Sequence, residues 1–296
     1  MSKILVTGYD GFIGSHLTDK LLNEYQVIGL SNNKKGKKEI QQIKKDIRKI
    51  SIYDIPKNID CIIHLAAITD VAFCQDHPLD CYDVNVLGTQ KLLEIARKIN
   101  SKFIFLSTSH VYGIPTKLPI SENHPRHPTS IYAGSKLAAE IICESYATSY
   151  GMNISIIRLF SVYGPKSPPH LVIQKIISQL MKNNTIRLGN LSPKRDFIYI
   201  DDVIQAIQLV LKKSKTFNVY NVGSEKNYSI LQVCEIIKKL TQRDFKIKSI
   251  KSLSRKVEID KVVSNSTKIK KLGWKPKTSI QKGLKKTFEY YVSQLK

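Results

Sequence analysis

Lys3-Ile4-Leu5-Val6-Thr7 is a short apolar run that stops at Gly8, and Gly8, Gly11 and Gly14 then lead into a helical pattern from Phe12 to Asn23. No other feature limits the fold so tightly. The run reads as a buried strand bounded by glycine. Ile13, Leu17, Leu21 and Leu22 mark the inner side of the helix, and Gln26-Val27-Ile28-Gly29-Leu30 follows as the next strand. A strand, a glycine turn, a helix and a second strand form the unit that a dinucleotide-binding fold requires. The glycines permit the tight turn and let backbone amides approach a pyrophosphate at the helix N-terminus.

The alternation continues. Further strands are predicted near Gln42–Lys44, Cys61–Leu65, Lys102–Leu106 and Asn153–Arg158, with helices over about Val84–Lys98 and Ser130–Tyr150. This order predicts an α/β fold, a doubly wound parallel sheet, over residues 1–165. After Gly164-Pro165 the texture changes. Lys166-Ser167-Pro168-Pro169 breaks the pattern, a helix is expected near Leu171–Lys182, and less regular elements lead to a final helix over Ser279–Ser293. Residues 166–296 therefore read as a smaller, mixed substrate domain, with about 197–222 returning to the first one.

Composition narrows the partners. Lysines and arginines number 47 against 24 acids, a formal charge of +23 in 296 residues. Such an excess favours anionic ligands. The one dense run is Lys34-Lys35-Gly36-Lys37-Lys38, and no aromatic–basic alternation accompanies it, so no specific nucleic-acid partner is expected. Five cysteines without a Cys-x-x-Cys pair read as small buried hydrophobes, and the histidines show no metal-ligand spacing. No apolar stretch reaches the ~20 residues that span a bilayer, so the cytoplasm is the expected compartment and no membrane partner is expected.

Tyr132-Ala133-Gly134-Ser135-Lys136 supplies the chemistry. Four residues apart on a helix, the phenol and the ammonium share one face, where the cation can lower the phenol's pKa. A phenol near pKa 10 is otherwise a poor base at neutral pH. Beside a dinucleotide, a phenolate points to redox chemistry on a sugar or alcohol carbon.

With both motifs in place, the chain resembles the extended short-chain dehydrogenase/reductase family, in its NAD-dependent nucleotide-sugar epimerase, dehydratase and reductase branch. The likeness runs over nearly the whole chain. It includes Asp46-Ile47-Arg48, His64-Leu65-Ala66-Ala67, Asn85-Val86-Leu87-Gly88-Thr89, and Ser107-Thr108 ahead of Val111-Tyr112-Gly113. Arg158-Leu159-Phe160-Ser161-Val162-Tyr163-Gly164-Pro165, Arg195-Asp196-Phe197-Ile198-Tyr199, Asp201-Asp202-Val203 and Leu272-Gly273-Trp274-Lys275-Pro276 extend it.

The resemblance implies roles. Gly8, Gly11, Phe12, Ile13 and Gly14 would cradle the cofactor pyrophosphate, Ser31 and Asn32 would stand at the adenosine ribose, and Asp46 and Ile47 would sit against the adenine. Leu65, Ala66 and Ala67 would line the channel to the nicotinamide, with Asn85 behind them and Phe160 in the same cofactor-binding set. Tyr132 would be the acid/base. Lys136 would hold the nicotinamide ribose and lower the Tyr132 pKa, and Thr108 would hydrogen-bond the reacting sugar oxygen. Ser161, Arg195 and Arg255 would face a nucleotide-diphosphate sugar, the planar guanidiniums suiting its phosphates. No metal is implied. Family members commonly form homodimers through the helices that here span about 84–98 and 130–150.

Three departures shape the reading. Ser31 stands where NAD-using members carry an acid for the ribose 2′-hydroxyl, and lysines follow, so NADP stays open beside NAD. Ser109-His110 replaces the Asp-Glu that sugar 4,6-dehydratases carry after the threonine, which argues against dehydration. Ser161 replaces a frequent asparagine. The expectation is a nucleotide-sugar 4-epimerase working through a transient 4-keto sugar. The alternative is an NADPH-dependent 4-keto-sugar reductase, and behind it stand a 4,6-dehydratase and a silent member binding RNA or protein.

Overall fold

The computed structural model describes residues 1–33, 39–253 and 257–294. Its centre is a seven-stranded, all-parallel sheet built from β1 (Lys3–Thr7), β2 (Gln26–Ser31), β3 (Gln41–Lys44), β4 (Cys61–His64), β5 (Lys102–Thr108) and β6 (Ile154–Leu159), closed by Asn218–Val222. Between that last strand and β6 lie β7 (Ser161–Tyr163), β8 (Thr185–Leu188), β9 (Lys194–Arg195) and β10 (Phe197–Tyr199), so the closing strand is β11. The order β11-β6-β5-β4-β1-β2-β3 reverses direction between β1 and β4.

Period-two alternation decides which way each side chain goes. Ile4 and Val6 of β1, Cys61 and Ile63 of β4, and Ile104 and Leu106 of β5 enter one core. Leu5, Ile62, Phe103 and Phe105 enter the other. Helices α1 (Phe12–Leu21), α2 (Val71–Asp76), α3 (Pro78–Tyr82), α4 (Gly88–Lys98), α5 (Ile131–Tyr150), α6 (Val172–Leu180) and α7 (Ile200–Lys213) follow the strands. Leu17 and Leu21 of α1 and Val203, Ile207 and Val210 of α7 cover the first face. Leu92 and Leu93 of α4 and Ala139 and Cys143 of α5 cover the second. Each buried leucine, isoleucine, valine or phenylalanine here contributes roughly 1.5–3 kcal/mol on burial. All five cysteines are buried and unpaired.

The C-terminal part adds α8 (Ile230–Thr241), α9 (Thr267–Lys270) and α10 (Ile280–Ser293), with β12 (Tyr228–Ser229) and β13 (Lys246–Ser249). Three two-stranded sheets, β10-β7, β12-β9 and β13-β8, connect it. Two elements differ from expectation. The helix expected from Val84 starts as a π-helical segment, Asp83–Leu87, before α4, and α2 and α3 precede it. The less regular stretch contains α7 and α8, fourteen and twelve residues long, whose apolar faces pack into the first core.

A buried ion pair ties α5 to the sheet. Arg158 on β6 donates to Glu140 on α5, with a shortest contact of 2.7 Å, and to the Tyr112 hydroxyl at 2.8 Å. Tyr112 in turn donates to Asn221 on β11 at 2.7 Å. This fixes the rotation of the helix that carries Tyr132 and Lys136.

Candidate active site

In an open parallel sheet, ligands enter the crevice outside the carboxyl ends of the strands where the order reverses. Here that point lies between β1 and β4, and the loops leaving both are packed tightly together. Gly8 has φ +67°, and a Cβ there would come within 2.9 Å of the Ala66 nitrogen. A Cβ on Gly14 would lie 2.0 Å from the Gly8 carbonyl oxygen. Only glycine fits either position. The α1 N-terminus has no side-chain cap, and among the described residues the Phe12, Ile13 and Gly14 amides have no partner. Free amides at the N-terminus of a ten-residue helix suit a pyrophosphate.

Beside this cradle is a pocket of about 380 Å³ lined by Asp10, Gly11, Ser31, Asn32 and Asn33. The Ser31 hydroxyl donates to Asp10 Oδ2 at 3.0 Å and accepts from the Asn33 amide at 3.1 Å. Lys34 and Lys35 lie outside the described residues. Asp46 caps a short turn, accepting from the Arg48 amide at 2.8 Å, and pairs with the Arg48 guanidinium at 2.7 Å, which holds its carboxyl below the usual range. Ile47 is turned inward against Gly88, in the core between β2 and α4. Any contact of Ile47 with an adenine therefore falls to its backbone.

The floor of the crevice is a buried relay. Thr7 Oγ1 accepts from the Leu65 and Ala66 amides at 3.2 and 3.1 Å, so its own proton goes to His64 Nδ1 at 2.7 Å. His64 Nε2–H then donates to Thr89 Oγ1 at 3.0 Å, and Thr89 donates to the Asn85 carbonyl at 2.6 Å. Burial pushes the imidazole down to about 3, so the ring is neutral. Asn85, in the π-helical segment, accepts from the Ile68 amide at 2.8 Å and donates to the Ile68 carbonyl and to Ser135. The half-buried Leu65, Ala66 and Ala67 are thus held from beneath.

Thr108 ends β5, and Tyr132 and Lys136 sit on the first turns of α5, whose N-cap Ser130 accepts from the Ala133 amide. Desolvation pushes the Tyr132 phenol up to about 12, against a smaller lowering influence from the nearby Thr108 side chain. The His110 ring stands edge-on to Tyr132, with centroids 6.0 Å apart. Lys136 is buried, its ammonium 4.0 Å from the centre of the Phe105 ring, and desolvation brings it down to about 8. Lys136 is not among the groups that shift the phenol in this structure; its ammonium lies over Phe105.

On the substrate side, Ser161 opens β7 and its amide donates to the Asp196 carbonyl at 2.9 Å. Phe160 packs into a cluster with Val111, Tyr112 and Ile120 and is 4% exposed, so any part it plays in cofactor binding falls to its backbone. Arg195 does not stand open as a clamp: it meets Glu258 at 2.5 Å and donates to the Ile259 carbonyl at 2.6 Å. Arg255 lies outside the described residues. Asp196, fully buried, accepts from the amides of Ser224, Glu225 and Ser264 and from the hydroxyls of Ser224 and Ser264. No described helix is long and apolar enough to cross a membrane, and no cluster of acids, histidines or cysteines among the described residues could hold a metal ion.

A profile of the family described as GDP-mannose 4,6 dehydratase matches residues 5–287. The chain belongs to the NAD-dependent epimerase/dehydratase family of extended short-chain dehydrogenases. It is 35% identical, over 97% of both chains, to a Methanocaldococcus jannaschii protein that carries a provisional name as a UDP-glucose 4-epimerase. It is 34% identical to the dTDP-D-glucose 4,6-dehydratase of Bos taurus, over 98% of this chain and 88% of that one. The solved UDP-glucuronic acid 4-epimerase of Bacillus cereus, in complex with UDP-glucuronic acid and NAD, matches with a TM-score of 0.91 and 31% identity, covering 99% and 100% of the two chains. Membership makes this a nucleotide-sugar-modifying enzyme of the epimerase/dehydratase class, its relatives divided between the two reactions.

For an epimerase/dehydratase chain, four site residues lay beyond sequence reasoning. Asp10 faces Ser31, Glu258 holds Arg195, Ser135 bonds both Asn85 and the Tyr132 carbonyl, and Thr7 anchors the Leu65–Ala66 turn. Ser135 and Asp10 carried a local signal, lying inside the Tyr132–Lys136 motif and the Gly8–Gly14 loop. Thr7 and Glu258 depend on pairings across the sheet or between the two parts of the chain.

Proposed function

We propose that this protein is a nucleotide-diphosphate-sugar 4-epimerase that uses NAD and passes through a transient 4-keto sugar. One observation carries the reading: Thr108 at the end of β5 stands by Tyr132, and the two residues after Thr108 are Ser109 and His110 instead of a pair of carboxylic acids. Elimination of water from the sugar needs a further acid and base beyond that pair.

NAD, when bound along the glycine cradle, supplies the hydride acceptor, and its oxidised ring supplies a positive charge that lowers a nearby phenol. Tyr132 takes the proton from the sugar 4-hydroxyl at its phenolic oxygen and returns it after the sugar has turned over. Thr108 hydrogen-bonds the same sugar oxygen and keeps the proton path short. Lys136 binds the nicotinamide ribose, and the wall of Leu65, Ala66 and Ala67 excludes water. Arg195 meets the substrate diphosphate by sharing or exchanging Glu258. Ser161 stands close to the sugar. The working unit is a homodimer joined through residues 83–98 and α5, where Leu87 and Ile141 are about half exposed (50% and 49%).

The test is incubation with a panel of nucleotide hexoses and no external oxidant. A product of unchanged mass with inverted C4, read by NMR, supports the epimerase. Loss of one water identifies a dehydratase, and net consumption of NADPH identifies a reductase.

A further inference from the structure

The pocket at the end of β2 lacks the acid that dinucleotide folds put there for the ribose 2′-hydroxyl. It still contains a carboxylate. Asp10, between Gly8 and Gly11 in the glycine loop, lines the pocket together with Ser31 and Asn32. We propose that Asp10, and no residue of β2, sets the preference of this chain for NAD over NADP, by accepting the ribose 2′-hydroxyl and repelling a 2′-phosphate. This rests on the reading of the cradle and pocket as a dinucleotide site.

Ser31 does not replace the missing acid. Its one proton is committed to Asp10 Oδ2 at 3.0 Å, and it already accepts from the Asn33 amide at 3.1 Å. It is nearly buried, at 8% exposure. The hydroxyl therefore works as a strut that aims the carboxylate. Asp10 is half-buried and, among the described residues, bonds to nothing but Ser31, which leaves Oδ1 for a ligand. An ionised acceptor binds a hydroxyl about twice as strongly as a neutral one and disfavours a phosphate in the same place. The carboxylate has moved from the strand end to the facing loop while its target is unchanged. The opposing influence is the lysine run that starts at Lys34, which would attract a 2′-phosphate.

The experiment is calorimetric titration of the full chain with NAD and NADP separately, at one fixed ionic strength. Wild type is expected to bind NAD at least about tenfold more tightly than NADP. Asp10→Asn keeps the shape and an acceptor for Ser31, and should shrink that ratio by about ten- to a hundredfold, the scale of one charge-assisted hydrogen bond. Ser31→Ala should move the ratio less than Asp10→Asn does. If Asp10→Asn does not fold, Asp10→Ser is read in the same way. An unchanged ratio in a variant with a native melting temperature overturns the proposal, as does a wild type that prefers NADP, and in both cases the dinucleotide reading stands. Wild type that binds neither dinucleotide overturns the reading and the proposal together.

Discussion

The Lys136 ammonium lies 4.0 Å from the centre of the Phe105 ring, so the cation spaced to serve Tyr132 rests on an aromatic face of β5. Phe105 points to the α4–α5 side of the sheet, and α5 lays its buried face there. A cation over a ring is stabilised electrostatically, though less well than by water. Burial accordingly moves both groups towards their neutral forms, the phenol up to about 12 and the ammonium down to about 8.

Tyr132→Phe should abolish nearly all turnover, with a loss of about 10²–10⁴-fold from the missing acid/base. The ring and its packing are retained, so NAD binding and the melting temperature should stay close to wild type. Steady-state kinetics and calorimetry on the same preparation check this. Near-normal activity would remove Tyr132 from the mechanism.

Lys136→Met should make the ligand-free protein more stable while weakening NAD binding. The folded pKa is about 8 against an ordinary 10.5, so at neutral pH the buried charge costs on the order of 3 kcal/mol. The sign in wild type follows. Between about pH 8 and 10.5 the unfolded chain holds a proton that the folded chain has released, so this group makes stability rise with pH across that window. Below pH 8 the penalty is present in full. Urea melts of wild type and variant at pH 7 and 9.5 check this; the stability gap should narrow at the higher pH.

Arg195→Ala and Glu258→Gln separate a ligand clamp from an internal ion pair. Both break the 2.5 Å contact and should lower stability by about 1–3 kcal/mol. Only the arginine change should weaken UDP binding strongly, while Glu258→Gln leaves the guanidinium available to phosphate. Equal losses of UDP affinity in both variants would show that the pair acts through local structure alone.

Glu140→Ala leaves Arg158, 2% exposed, without its carboxylate. Removing one partner of a buried pair costs about 3–5 kcal/mol. Because Glu140 lies one turn beyond Lys136, NAD affinity should fall as well. A denaturation midpoint close to wild type would show that the Tyr112 hydroxyl and backbone carbonyls suffice for Arg158.

Ile141→Glu places a charge among the exposed apolar side chains of the outer helical layer. If α5 forms the dimer contact, light scattering at micromolar concentration should show wild type as a dimer and the variant as a monomer. A monomeric wild type would remove this face as an interface.

Strands β1, β2, β4, β5 and β6 were legible because they are largely buried and read as continuous apolar runs bounded by breakers. The glycine loop and the Tyr132–Lys136 spacing were legible because each is local. What escaped was long-range. The Asp10–Ser31 contact spans 21 residues, and Arg195–Glu258 spans 63. Helices α7 and α8 were missed because their apolar stripes have partners only in the folded chain, α7 against α1 and the sheet and α8 against α6 and α10. The pKa directions could not be read either, since spacing puts Lys136 and Tyr132 on one face but says nothing of Phe105.

His64 makes the floor of the crevice electrically silent. With its imidazole near 3 and both nitrogens committed to threonine hydroxyls, that relay carries the same protons from mildly acidic to strongly alkaline solution. A rate profile measured over this range therefore reports on the walls of the site and not on its base. An alkaline limb near pH 8 would belong to Lys136. His110, edge-on to Tyr132 and outside the relay, is the side chain by the phenol whose replacement such a profile would test first.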